Sequence, residues 1–263
     1  MSLGFSVDTL LPKARGGGQL RMGLVKLEEC DWLQPRPDLA ARAAGFADWP
    51  QGVQLTPEVD APGRELAAML GVDGALPEAA LTVHEDLCLL TQREGEAVYR
   101  LIGAAVAWPS DWHPTEKIGL PLRALHAPIA GYEEQLATGV DRFMETLRAG
   151  QIYARCNWFI AATGERRWLP DRPPQEAFAH VTPHNAGETL FVRSERQTLR
   201  RLPQTGAILF TIGIYVEPLG KLSSPNIAIL GKAVQTLVSG EGDRRGAPAY
   251  AASLIAYAER NAA

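Results

Sequence analysis

The 263-residue chain predicts an α+β fold with an antiparallel sheet, on three observations. Five short segments have the β-branched, aromatic and aliphatic content of buried strands. Most are joined by tight turns or by a single helix. Helical periodicity otherwise falls before and after them. A single domain is the simplest account of such a pattern at this length, and 46% hydrophobic content is enough to bury a core without staples.

Taken in order, residues 1–75 carry many Pro, Gly and Asp punctuators and few strand signals. They read as an N-terminal extension of helices and loops packed on a main domain of residues 76–263. Pro37 to Phe46 and Pro62 to Gly71 are short helices, each with Pro near its start and Gly near its end, and Trp49 to Val59 is loop. Pro77 to Leu81 is a brief turn. His84 to Gln92 and Ala97 to Trp108 are then two apolar strands around the Arg93–Glu96 turn, a hairpin that begins the sheet.

Trp108 to Gln135 follows, 28 residues with two tryptophans, two histidines and four prolines and no regular element until its end. Loops of that length are functional or disordered, and this apolar content argues against disorder. Glu133 to Ala149 is a helix, with Leu136, Val140, Phe143 and Leu147 at spacings of three and four and Gly150 as its C-cap. Ile152 to Thr163 is a strand whose Arg155 and Asn157 face away from Cys156 and Trp158. Gly164 to Glu188 is loop, with His180 and His184.

Leu190 to Leu219 reads as three pieces: a strand LFVRS, a helical turn ERQTLRRLP stopped by Pro203, and a central strand that Gly206 opens as AILFTIGIY. On a helix Arg196 and Arg200 share a face. With Arg193 and Arg201 they make four arginines in nine residues between buried strands, so the cluster is either a solvated turn or an anion site such as cofactor carboxylates would fill. Ser224 to Val238 and Ala247 to Arg260 close the chain as helices around a GEGDRRG linker.

Several function classes are disfavoured. The net charge of −4 argues against nucleic-acid binding. Cys30, Cys88 and Cys156 have no CxxC spacing, no run of 18 apolar residues occurs and no signal peptide is evident, so a cytoplasmic protein without a membrane segment is expected. GxGxxG, GxxxxGK[ST], GxSxG and HExxH are all absent. The histidines His84, His113, His126, His180 and His184 form no metal cluster by spacing.

Four segments, WPSDWHPTEKIG (108–119), LHAPIAGYE (125–133), RCNWFI (155–160) and RSERQTLRRLPQTGAILFTIGIYVEPL (193–219), resemble in that order the haem-dependent oxidative N-demethylase family. The resemblance spans roughly residues 84 to 240. It implies a PAS-like five-stranded sheet with flanking helices that binds b-type haem. It also implies oxidation of a small secondary amine by dioxygen to a primary amine and formaldehyde, with electrons from separate flavin and iron–sulfur partner subunits.

Carried over residue by residue, it implies His126 as the axial ligand, with His84 and His184 in reserve. Arg155, Arg196, Arg200 and Arg201 would pair with the haem propionates, with Asn157 and Trp158 as further cofactor contacts. Lys117 and Tyr132 would be distal proton donors, with Glu195 as a further catalytic group. The competing roles are structural: His126 as a brace for its loop, the arginines in ion pairs with Glu195 and Glu133, Lys117 as a solvent-facing lysine. Two other functions keep the fold without the reaction, a haem-binding sensor or carrier and a haem-free relative that binds another small ligand.

Overall fold

The computed structural model describes residues 4–14, 21–129, 131–237 and 241–261. Ala130 of the second motif segment, the expected helix end at Val238 and Gly240 of the linker lie outside them. In chain order the elements are α1 (Val7–Leu10), β1 (Val25–Leu27), α2 (Leu39–Ala47), β2 (Val53–Leu55), α3 (Asp60–Met69), α4 (Leu76–Ala80), β3 (Asp86–Gln92), β4 (Tyr99–Ala105), α5 (Pro114–Lys117), α6 (Leu122–Leu125), α7 (Thr138–Thr146), β5 (Ile152–Ala161), α8 (Pro174–Ala177), α9 (Ala186–Thr189), β6 (Phe191–Arg201), β7 (Ile208–Pro218), α10 (Ser224–Gln235), α11 (Glu241–Arg244) and α12 (Ala247–Asn261).

The fold is α+β, and its antiparallel sheet has the strand order β1-β5-β6-β7-β3-β4-β2. Five of these strands are those expected; the sheet has seven. The two extra strands, β1 and β2, are three residues each and occupy the sheet's two ends, pairing with β5 and β4. Three residues are too few for a period-2 signal, so β2 lay concealed in what read as a loop.

A larger correction concerns residues 195–203. Instead of a helical turn, the chain continues β6 as one strand to Arg201 and turns only at Leu202–Ala207, where Gly206 takes a φ of +72°. Glu, Gln, Leu and Arg are good helix formers, but ladders with two neighbouring strands outweigh propensities of a few tenths of a kcal/mol per residue. The long loops are also better ordered than expected: α5, α6, α8, α9 and α11 are single turns within them. The helix expected from Glu133 starts there as a π-helical turn, Glu133–Ala137, and α7 ends at Thr146, before the expected Ala149.

The chain divides into two compact units, the first comprising residues 1–4, 20–155 and 196–213, the second 5–19, 156–195 and 214–263. In the first, β3 is buried on both faces. Leu87 and Leu89 join Leu66 of α3 and Leu76 of α4 in one core, while Leu90 joins Leu122 of α6 and Met144 of α7 in another. Each fully buried leucine contributes about 2 kcal/mol. Gly103 on β4 permits the close approach of the α3–α4 segment, because a Cβ there would lie 2.4 Å from Val59 Cγ2 and 2.8 Å from Leu76 Cδ2. Glu65 of α3 closes the β6–β7 hairpin, its carboxylate accepting from Gln204 N at 2.6 Å and Thr205 N at 2.8 Å.

Arg42 of α2 is fully buried in this unit. It donates through Nε to Ala80 O at 2.9 Å, through Nη2 to Glu85 O at 2.7 Å and through Nη1 to Asp86 Oδ1 at 2.5 Å. Asp86 in turn accepts from the amides of Ala107 and Trp108 at 2.8 and 3.2 Å.

The second unit packs Val7 and Leu10 of α1, Trp158 and Ile160 of β5, Val192 of β6, and α10 with α12 into a single core. Its α1 begins with a Ser6–Thr9 capping box, and Asp8 accepts from Ser223 N and Oγ at the start of α10. Among the described residues no helix is long and apolar enough to cross a membrane.

Because removal of one partner strands a buried charge, Asp86→Ala is expected to lower the unfolding free energy by about 3–5 kcal/mol in urea titrations at unchanged slope. A loss below about 1 kcal/mol would show that the pair is not a main tether.

Candidate functional site

The site that the first unit assembles centres on His126, and its position starts with β4. Leu101 N donates to Leu120 O at 3.1 Å and Gly119 N to Leu101 O at 2.7 Å, so the chain entering α6 is laced to that strand. Leu122 anchors α6 in the core, and four residues on His126 caps the helix at its C-terminus. The last carbonyls of a helix lack intrahelical donors. His126 Nδ1 answers one of them, bonding Leu122 O at 2.8 Å. A carbonyl oxygen only accepts, so Nδ1 carries the proton and the lone pair of the neutral ring resides on Nε2.

Burial chiefly holds the His126 pKa below its ordinary value, and the positive charges of Arg155 and Lys117 lower it further, against the raising effect of the Leu122 bond. The half-buried ring stacks on Tyr132 with centroids 4.4 Å apart and planes 8° from parallel. Tyr132 is only 4% exposed, and its hydroxyl has no hydrogen-bond partner among the described residues. Burial, followed by the charge of Asp141, pushes its pKa up to about 12, so it remains a protonated donor across the physiological range. Lys117 Nζ approaches Leu125 O at 3.4 Å.

The π turn Glu133–Ala137 leads from Tyr132 into α7. Such wide turns are rare and recur at functional sites. Arg123 of α6 bridges this segment, contacting Glu133 and bonding Asp141 Oδ2 through Nη2 at 2.7 Å and Nε at 3.1 Å. A recess of about 300 Å³ lies here, lined by Arg123, Ala127, Ile129, Tyr132, Glu133 and Glu134 among others. That volume is at the lower end of ligand pockets.

Of the residues the sequence singles out, Tyr132 stacks on His126, and the charges of Lys117 and Arg155 act on its ring. Arg196, Arg200 and Arg201 of β6 are bonded to other groups of the same unit. Arg196 donates to Trp32 O at 2.7 Å and to Asp31 O, and Arg200 pairs with Glu29 at 2.8 Å. Arg201 bonds Leu147 O and Gly206 O, both at 2.6 Å, Tyr99 Oη at 2.9 Å, and Met144 O. Asn157, Trp158 and Glu195 belong to the second unit. There Trp158 O accepts from Arg245 Nη1 at 2.6 Å, and Glu195 is buried.

The reserve histidines differ in setting: His84 is buried against Trp108, whereas His184 is exposed. Sequence reading missed the Arg123 fork. Its partners stand 10 and 18 residues away, outside the helical spacing that marks local ion pairs.

Residues 59–250 match the sequence profile of the family described as haem-dependent oxidative N-demethylase, alpha subunit-like. The chain belongs to that family. For this N-demethylase alpha-subunit-like chain the description carries haem dependence and membership of a multi-subunit class. The match contains α6, His126, the π turn and β6 within its bounds.

A haem-free preparation is expected to titrate the His126 ring by NMR below its ordinary value of 6.5, and Lys117→Met to move that pKa up by removing one of two cations. Since the folded state is the poorer proton acceptor, the unfolded chain takes the proton first. Stability contributed by the neutral ring is therefore complete above pH 6.5 and declines as the pH falls through that value. His126→Gln is expected to flatten that limb of the stability curve. A His126 pKa at or above 6.5 would contradict the burial argument.

Proposed function

We propose that this chain is the haem-bearing subunit of an oxidative N-demethylase, with His126 Nε2 as the axial ligand and a small secondary amine such as dimethylamine as substrate. The observation that supports it most is the Nδ1 bond to Leu122 O at 2.8 Å. Histidines that bind metal characteristically donate their other ring N–H to a carbonyl or carboxylate, which fixes the tautomer and raises the basicity of the ligating nitrogen. The depressed pKa supplies the neutral form such a ligand needs, and the cations of Arg155 and Lys117 suit the two propionates of haem.

The sequence has no Cys-x-x-Cys-His attachment motif, which favours non-covalent, b-type haem. A PAS-like description suits the five longer strands, and the alpha-subunit character of the family supports electron delivery by separate flavin and iron–sulfur subunits.

Haem, when bound, supplies the redox chemistry that oxidises the amine methyl group at the expense of dioxygen, yielding a primary amine and formaldehyde. The chain's own residues hold and tune it. Leu122 O orients the imidazole, and the Tyr132 ring keeps its plane. Tyr132 stacks on the His126 ring, and Tyr132 and Lys117 are the proposed proton donors.

Chain produced with ample haem supply is expected to show a Soret band that shifts on adding dimethylamine and that His126→Ala loses, while His126→Gly regains it with added imidazole. With a competent reductase, formaldehyde release separates the demethylase from a sensor or carrier that binds haem and gas without turnover. Absence of a Soret band in wild type would overturn the haem reading itself.

A further inference from the structure

Two buried hydrogen-bond donors of the first unit belong to one stacked pair and lack acceptors among the described residues. Trp32 is 6% exposed and Arg200 7% exposed, and the guanidinium carbon of Arg200 stands 4.1 Å above the Trp32 ring. Trp32 Nε1 and Arg200 Nε are fully buried, and neither has a hydrogen-bond partner among the described residues. A buried N–H left unanswered costs about 1–3 kcal/mol, and two within one stacked pair mark a place built for a shared acceptor.

That acceptor should carry charge. Among the described residues the one carboxylate paired with Arg200 is Glu29, whose side chain is 67% exposed, on the short 3-10 turn Glu29–Asp31. Water screens an ion pair held from that position, whereas the guanidinium itself is buried against an aromatic face. A buried cation is most stable beside an anion with which it shares a hydrogen bond.

The turn is held down from below. Arg196, four residues earlier on β6, donates to the carbonyls of Asp31 and Trp32, so the Trp32 backbone is tied to the strand that carries Arg200. The site is thereby preformed rather than assembled around a ligand.

We propose that Trp32 Nε1 and Arg200 Nε are the two arms of a binding site for one small anion, a compact carboxylate or inorganic anion, beside the Glu29–Asp31 turn. The site is separate from His126 and does not depend on haem. Trp32 supplies a neutral donor, Arg200 a charged one, and Glu29 reaches the same guanidinium from the solvent side and competes for its charge.

The test uses the full chain at fixed ionic strength, with bulky gluconate replaced stepwise by formate, and follows the melting temperature; crystals soaked in bromide are read by anomalous scattering. Wild type is expected to melt higher as formate rises, as any ligand confined to the native state requires. Trp32→Phe keeps the ring and its stack but removes one N–H, and is expected to weaken formate binding about tenfold, the effect of losing one hydrogen bond to a charged acceptor.

Glu29→Gln alters an exposed side chain, so it is expected to fold and to bind formate more tightly. Bromide is expected within hydrogen-bond reach of both nitrogens. Equal formate responses in wild type and Trp32→Phe, weaker binding in Glu29→Gln, or a water without anomalous signal between the two nitrogens would each overturn the proposal. None of these readouts involves a Soret band, so failure here and failure of the haem reading are distinguishable.

Discussion

One guanidinium organises the N-terminal part of the first unit. Arg42 is fully buried, and such a charge is tolerated only when each of its faces is answered. Its edges reach the end of α4, the residue before β3 and the first residue of β3, while its faces lie 4.6 Å from the Phe46 ring and 5.0 Å from Trp108. Asp86 passes the tether on to the amides that follow β4. Helix, strand and loop are thus joined through two side chains, and the lacing of α6 to β4 that positions His126 builds on a strand anchored in this way.

The same principle appears on β6, where arginines occupy a strand interior. Arg196, Arg200 and Arg201 each reach groups far away in sequence, at separations of up to 171 residues. Most of those acceptors are backbone carbonyls. A carbonyl offers no charge to neutralise the cation, but it demands a fixed backbone position, so each bond orders a loop more than it balances a charge. The arginines serve first as fasteners of irregular chain, which explains why a positively charged run can lie in a sheet.

How far the sequence could be read follows from range. The β3–β4 hairpin, β5, β7, α10 and α12 were legible because turn residues and periodicity are local signals. β6 misled over its second half, since helix-forming residues were set in a strand by neighbours the local pattern does not reveal. The three-residue edge strands lie below the length at which alternation can be seen. At the site, His126 was singled out through the motif around it and through resemblance, whereas its stack on Tyr132 depends on the chain between them. Trp32, Glu29 and Arg42 carried no local sign of their roles, because the hydrogen bonds that tie each of them to another element span at least 38 residues.

The π turn at Glu133–Ala137 has a consequence for how this region can vary. A π turn holds one residue more than an α turn, and one residue corresponds to about 100° of rotation around a helix axis. Substitutions along it leave that phase intact. A single-residue deletion would let the segment relax into regular α-helix and swing Tyr132, with the chain before it, around the axis relative to α7, carrying its buried ring off the imidazole. Descendants of this chain can therefore exchange side chains here far more readily than they can change its length.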